Sequence, residues 1–222
     1  MAAAMRRIGE YVKLVDVVIE VIDARVPQSG SNPMLDSVAQ RRARITVLSR
    51  EDLAEPAETS LWLKHIDRGA VAVNALTRGS FVKLKASLRA AIAGGHKVRR
   101  AMVVGIPNSG KSSIINGLVG RSVARTEDRA GVTRQLQWFK LGPQIELMDT
   151  PGILVPKIAT EEAQWKLALV GAVPRDHYDP EEVVTRFYQW ATGKRCGRTK
   201  VPDLATFAEA RGSLRRGGKA DL

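Results

Sequence analysis

The sequence predicts an α/β protein: a doubly wound, mostly parallel sheet with a small C-terminal helical appendage. Three observations predict it. Short apolar runs, each closed by polar or glycine-bearing residues, alternate with longer stretches that keep a polar face. One such run, Ala101-Met102-Val103-Val104, leads straight into Gly105-Ile106-Pro107-Asn108-Ser109-Gly110-Lys111-Ser112, a G-x-x-x-x-G-K-[ST] loop. Beyond Pro156 the pattern turns wholly helical.

A first helix over about residues 5–14 leads into Val17-Val18-Ile19-Glu20-Val21-Ile22, a strand-like run ending at Asp23-Ala24-Arg25-Val26-Pro27. A helix around 33–42 precedes Ile45-Thr46-Val47-Leu48, which ends at Ser49-Arg50-Glu51-Asp52. A helix around 57–68 precedes Ala70-Val71-Ala72-Val73, which ends at Asn74-Ala75. Another around 80–93 leads to the loop strand. Strands separated by helices pair in parallel through right-handed crossovers. After the loop, Ile114, Ile115 and Leu118 recur at helical spacing, so the loop ends at a helix N-terminus. Leu136 to Lys140 and Ile145 to Met148 flank Gly142-Pro143 and read as a hairpin with one antiparallel strand. Glu161 to Gly171 and Pro180 to Ala191 read as amphipathic helices, with Trp165 and Trp190 expected in their core. Arg211 to Leu222, rich in glycine and charge, is expected to fray. The expected domains are residues 1–157 and 158–222.

The loop names a ligand chemistry. Its backbone N–H groups can close around phosphate oxygens, so Pro107, Asn108, Ser109, Gly110, Lys111, Ser112 and Ser113 form the candidate cradle. Lys111 supplies a point charge to the outer phosphates, and the Ser112 hydroxyl can ligate Mg²⁺. Downstream, Asp149-Thr150-Pro151-Gly152 closes an apolar run. Nucleotide hydrolases hold Mg²⁺ with such an Asp and sense the terminal phosphate with such a Gly turn, which assigns Asp149 and Gly152. Between the two motifs, Thr133 in Ala130-Gly131-Val132-Thr133-Arg134 can close over the metal. Lys111, Thr133, Asp149 and Gly152 are thus the catalytic candidates, in the usual order of a small GTPase.

The part that should follow, a strand ending in an N-K-x-D-type base reader, is missing after Gly152. The strands ending at Ser49 and Asn74 stand in front instead. A domain cut and rejoined in this way is tolerable because termini lie at the surface and often near each other. With its D-A-R-x-P turn at Asp23 to Pro27, Ser31-Asn32-Pro33-Met34, the G-I-P-N-S-G-K-S loop, D-R-A-G-V-T at 128–133 and D-T-P-G-I-L at 149–154, the chain resembles the circularly permuted GTPases of ribosome biogenesis, the ribosome biogenesis GTPase A (YlqF-type) family. The resemblance covers nearly the whole chain and runs on through Leu167 to Ala172. It implies GTP and GDP as ligands with Mg²⁺, and a switch acting in late maturation of the large ribosomal subunit. The implied partners are the precursor particle, its rRNA and ribosomal proteins. GTP would promote docking, and hydrolysis would promote release.

The departures from the family pattern bear on the base. Ser49-Arg50-Glu51-Asp52 stands where the family has N-K-x-D. Asp52 can still accept from the guanine ring N–H and exocyclic amine. Arg50 can lie flat on the base. Ser49 is expected to lose the amide that bonds both guanine and the loop, at about 0.5–1.5 kcal/mol per hydrogen bond. Asn74-Ala75 replaces the usual Ser-Ala, with the Ala75 N–H facing the guanine carbonyl. Ile153 stands where Ras-like enzymes carry the water-orienting Gln, which implies slow intrinsic hydrolysis stimulated by the ribosomal particle. Asn108 resembles the asparagine that helps hold K⁺ in potassium-activated relatives; a plain turn role is an equal reading. Many family members carry a His near the N-terminus; none stands near Ala4-Met5-Arg6-Arg7, so the chain lacks it or was shortened. Related proteins continue further at the C-terminus, so the appendage is expected to be incomplete.

Composition points to a polyanionic partner. The 222 residues carry a net charge of +12 with 44% apolar content. Arg41, Arg42 and Arg44, then Lys97, Arg99 and Arg100, then Lys194 to Lys219 crowd the basic residues into groups. Phosphate contacts would give salt-sensitive rRNA binding. Aromatics, at 5%, are too few for a base-stacking platform. A single Cys196 excludes an internal disulfide. No membrane span or signal pattern is evident, and a monomer in the cytoplasm, or in an organelle matrix or stroma, is expected. Two readings stay open: a ribosome-stimulated GTPase switch, or an RNA-docking, ribosome-associated module with weak nucleotide binding.

Overall fold

The structure is a computed structural model that describes residues 2–39, 42–66, 69–93, 98–120, 137–150, 158, 160–193, 206 and 210. Six strands form one sheet: β1 (Val17–Asp23), β2 (Ala43–Ser49), β3 (Val71–Val73), β4 (Arg99–Val104), β5 (Gln137–Leu141) and β6 (Ile145–Asp149). Their order is β3-β2-β1-β4-β6-β5. Every pair is parallel except β5 against β6.

All seven residues of β1 are buried, because helices cover both faces of the sheet and leave no polar side to alternate with. On one face, Val17, Ile19 and Val21 pack with Phe81, Leu84 and Leu88 of α5 (Phe81–Ala91) and with Ile114, Ile115 and Leu118 of α6 (Lys111–Val119). On the other, Val18 and Met102 pack with Ile8 and Val12 of α1 (Ala2–Lys13). Ile22 and Leu48 meet Trp62 and Ile66 of α4 (Pro56–Ile66) there. Each such fully buried side chain contributes roughly 1.5–3 kcal/mol. Glu20 interrupts the apolar run at 1% exposure. Its burial is met by partners: Arg44 pairs with it and the Asn32 N–H donates to it at 3.2 Å.

The helix expected around 33–42 is the shorter α3 (Met34–Val38), and a separate turn of helix, α2 (Pro27–Gly30), precedes it. Proline explains why the two do not join. Pro27 starts the first turn, Ser31 is extended ahead of Asn32 and Pro33, and the Asn32 N–H is held by the strand. The helix expected to reach Gly171 stops as α7 (Glu161–Leu169), and Gly171 then takes φ +76. α8 (Pro180–Gly193) follows. Trp165, Ala168 and Val183 join α7 to α8, with Lys166 over the Trp165 and Trp190 rings. This helical unit seats on the sheet domain through Val26 and Ile106, which pack with Leu167 and Ala172.

Candidate functional site

From β1 the chain steps outward to β2 and β3, then returns to place β4 on the far side of β1. Open α/β sheets bind ligands at such a reversal, outside the carboxyl ends of the strands. Five parallel strands deliver their last residues there: Asp23 from β1, Ser49 from β2, Asn74 after β3, Gly105 after β4 and Asp149 from β6.

The loop after β4 is shaped for an anion. Gly105 passes so near β1 that a Cβ there would lie 2.3 Å from the Val21 carbonyl oxygen. Asn108 at φ 56 and Gly110 at φ 90 turn the backbone left-handed, the alternation that points N–H groups into one concavity. The first intrahelical bond of α6 runs from the Ile114 N–H to the Gly110 carbonyl at 2.9 Å. The N–H groups of Lys111, Ser112 and Ser113 precede it and face the concavity as helix N-terminal donors.

Lys111 is only 7% exposed. Its ammonium donates to the Ile106 carbonyl at 2.7 Å. Burial pushes its pKa down to about 8, against a smaller opposing pull from Asp149. Asp149 is itself buried, and the neighbouring Thr150 hydroxyl donates to the Val103 carbonyl at 2.7 Å. The Ser109 hydroxyl is buried with no hydrogen-bond partner among the described residues. A buried lysine ammonium, a hydroxyl orphaned among the described residues and a glycine-lined cradle all fit a phosphate group with its metal. Thr133 and Gly152 lie outside the described residues.

The second half of the site is the turn after β2. Ser49 is 2% exposed, and its hydroxyl donates to the Ser109 carbonyl at 2.6 Å and approaches the Ile22 carbonyl at 3.2 Å. The link to the loop expected to be lost with the Asn amide is therefore kept by the hydroxyl. Arg50 is left-handed at φ 56, ψ 38, and its guanidinium reaches Asp23 at 3.4 Å. Asp52 is exposed beside it. The Asn74 side chain closes a turn under Ala75 by accepting from the Leu76 N–H at 2.9 Å. Beside the phosphate loop, the Asn108 amide nitrogen donates to the Gly171 carbonyl at 2.7 Å. Of its two amide atoms, only Oδ1 is of the kind that ligates a cation.

Several contributors escaped the sequence reading. Glu51, the unassigned position of the base motif, accepts from the Asn74 N–H and the Ser80 hydroxyl, both at 2.9 Å, and so ties the two base-side turns together. Asp23 gathers Arg25 and Arg50. Gly171 anchors the phosphate loop to the helical unit. None has a local pattern; the D-A-R turn ending a buried strand was the one available signal.

Comparison with known proteins agrees with this geometry. Residues 100–185 match the family model described as 50S ribosome-binding GTPase. That span starts in β4, so the base-side strands precede it, as a permuted order requires. A Priestia megaterium protein named ribosome biogenesis GTPase A is 36% identical over 100% of this chain and 86% of its own length. The chain belongs to the ribosome biogenesis GTPase A family. Like other ribosome biogenesis GTPase A proteins it has the circularly permuted P-loop fold, and it is a GTP hydrolase that binds guanine nucleotide. The crystal structure of GNP-bound YlqF from Thermotoga maritima superposes with a TM-score of 0.73 at 29% identity, covering 99% of this chain and 88% of that one. An Arabidopsis thaliana protein named Short integuments 2, mitochondrial, is 38% identical over 85% of this chain and 53% of its own length. Among the described residues no helix is long and apolar enough to cross a membrane.

Proposed function

We propose that this protein is a guanine-nucleotide switch in late maturation of the large ribosomal subunit. One observation carries the nucleotide half: the Ser49 hydroxyl on the Ser109 carbonyl joins the base-side turn to the phosphate loop in one crevice. Asp52 and the Ala75 N–H read guanine, and Arg50 covers its face. The N–H groups of residues 108–113 and Lys111 hold the phosphates. Ser112, Asp149 and Thr133 supply oxygens to Mg²⁺, Gly152 senses the terminal phosphate, and Asn108 Oδ1 serves K⁺. Mg²⁺, when bound, neutralises charge developing on the phosphate oxygens.

The net charge of +12 and the basic residues of 158–222 support rRNA as the partner, contacted through its phosphates. The particle accelerates a slow intrinsic hydrolysis. The helical unit reads the nucleotide state because it sits directly on the phosphate loop through Ile106 and Asn108. The place of action is the compartment where ribosomes assemble: cytoplasm, or organelle matrix. Titrating labelled GTP, GDP and ATP against the protein, and co-sedimenting it with large subunits at low and moderate salt, tests both halves. Guanine-selective binding and salt-sensitive, nucleotide-dependent association are expected. Equal competition by ATP overturns the switch, and no association at either salt overturns the ribosomal partner.

A further inference from the structure

Asp23 ends β1 at the sheet's carboxyl edge, 1% exposed, in the company of two arginines. Its Oδ1 accepts from the Arg25 N–H at 3.0 Å and Arg25 Nε at 2.9 Å. Its Oδ2 accepts from the second arm of the same guanidinium at 2.7 Å and from Arg50 at 3.4 Å. The backbone is tied as well, since the Ala24 N–H donates to the Ser49 carbonyl at 2.9 Å. Arg50 meanwhile adopts a left-handed conformation at φ 56, which a non-glycine residue holds only when its surroundings impose it. One buried carboxylate thus holds the Arg25 guanidinium by two atoms and anchors one nitrogen of Arg50. The Arg25 charge is reinforced first by its hydrogen bonds to Asp23 and, more weakly, by Asp52.

We infer that Asp23 is a positioning residue for base recognition: through Arg50 it sets how tightly and how selectively this crevice holds guanine. The inference rests on the guanine-nucleotide reading of the site. A guanidinium can cover a purine only if its plane is held, and a flexible side chain loses affinity to the entropy of ordering it. Asp23 takes hold of one edge of the Arg50 fork, and the flat face stays available. The carboxylate never touches the base; it acts on the residue that does. Arg25 keeps the rest of the carboxylate filled, which holds Asp23 in place for Arg50.

The test uses the full chain and four probes: GDP, ADP, IDP and inorganic tripolyphosphate. Binding is read by displacement of a fluorescent GDP analogue and by calorimetry. Asp23→Asn is expected to weaken GDP about tenfold, the scale of one charge-assisted contact, and to narrow the GDP-to-ADP ratio by a similar factor. Tripolyphosphate affinity should stay within about twofold, since the phosphate end is untouched. Arg50→Ala should reproduce the effect, and Asp23→Asn added to Arg50→Ala should add little further. Arg50 is a partly exposed turn residue, so that variant keeps the comparison available should Asp23→Asn fold poorly. Equal loss of GDP and tripolyphosphate would mark Asp23 as merely structural and overturn the inference, as would unchanged GDP binding or full additivity of the pair. A wild-type protein that binds no guanine nucleotide sinks the underlying reading instead, and that outcome is seen before any variant is made.

Discussion

The Ser49 hydroxyl lies 2.6 Å from the carbonyl oxygen of Ser109, joining positions 60 residues apart in the chain. It ties the end of β2 to the phosphate loop. Gly110, at φ +90, turns the loop beside this contact, in a conformation that L side chains rarely adopt. Removing the hydroxyl leaves a buried carbonyl without its partner, at a cost of about 1–3 kcal/mol. Ser49→Ala should therefore lower the melting temperature by several degrees and weaken GDP in the same variant. A protein unchanged in both, by calorimetry and nucleotide titration, would remove Ser49 from the site.

Lys111 is predicted to trade stability for function. Its depressed pKa of about 8 means that burial disfavours the ammonium. The shift corresponds to roughly 3 kcal/mol. Lys111→Met keeps the volume and removes the charge, so the nucleotide-free protein should melt at the same temperature or higher. GTP binding should fall more than about a hundredfold, the scale of losing a buried phosphate pair. Thermal scans without ligand and GTP titrations check the two halves separately.

Asn108 and Gly171 should couple the nucleotide to the helical unit. Their hydrogen bond of 2.7 Å and the Ile106 contacts are the physical route from phosphate loop to α7. In the wild type, adding a non-hydrolysable GTP analogue should change hydrogen-exchange protection in residues 161–191. Asn108→Ala should leave that region folded but reduce its response to nucleotide. An undiminished response would place the coupling elsewhere.

α6 approaches α5 through Gly117. A Cβ there would fall 2.0 Å from the Phe81 ring, which is 2% exposed. Gly117→Ala should destabilise the protein by about 1–3 kcal/mol through overpacking, despite alanine's better helix propensity. Chemical denaturation measures it. Phe81→Leu should recover part of the loss in the double variant, because the ring is what the methyl meets.

Asp16 gives the fold an acid-sensitive joint. Its Oδ1 accepts from Arg99 at 3.0 Å and its Oδ2 from the Arg100 N–H at 2.9 Å, fastening the start of β1 to β4. Burial opposes the charge, but the Arg100 N–H and Arg99 outweigh it, so the pKa is lowered from its ordinary 3.8. A carboxylate with a lowered folded pKa contributes stability above the unfolded value and loses it as pH falls through the folded one. Asp16→Asn should therefore melt below wild type at neutral pH, with the gap closing below pH 3.8.

The sequence made some of this legible and hid the rest for a physical reason. The phosphate loop was readable because its glycines and Lys111 answer to local backbone geometry. The strands themselves were readable because fully buried parallel strands such as Val17–Asp23 must be continuous apolar runs. The helix expected around 33–42 is shorter, and the turn α2 ahead of it was not foreseen, because the hold of Glu20 on the Asn32 N–H spans 12 residues. Glu51 with Asn74, Asp23 with Arg50 and Asn108 with Gly171 lie 23, 27 and 63 residues apart. Side-chain pairings at that range leave no periodicity to read. They exist only once the permuted sheet brings the turns to one edge.

Asp52 offers the most direct trial of the single crevice. Guanine presents a ring N–H and an exocyclic amine to a carboxylate, whereas xanthine presents a ring N–H and a carbonyl, which suit a carboxamide. The measurement is the affinity of Asp52→Asn for GDP and for XDP beside that of the wild type. A reversal of preference, with the wild type taking GDP and the variant XDP, is the predicted result. A variant that holds GDP as the wild type does would show that the turn after β2 does not read the base whose phosphates Lys111 receives.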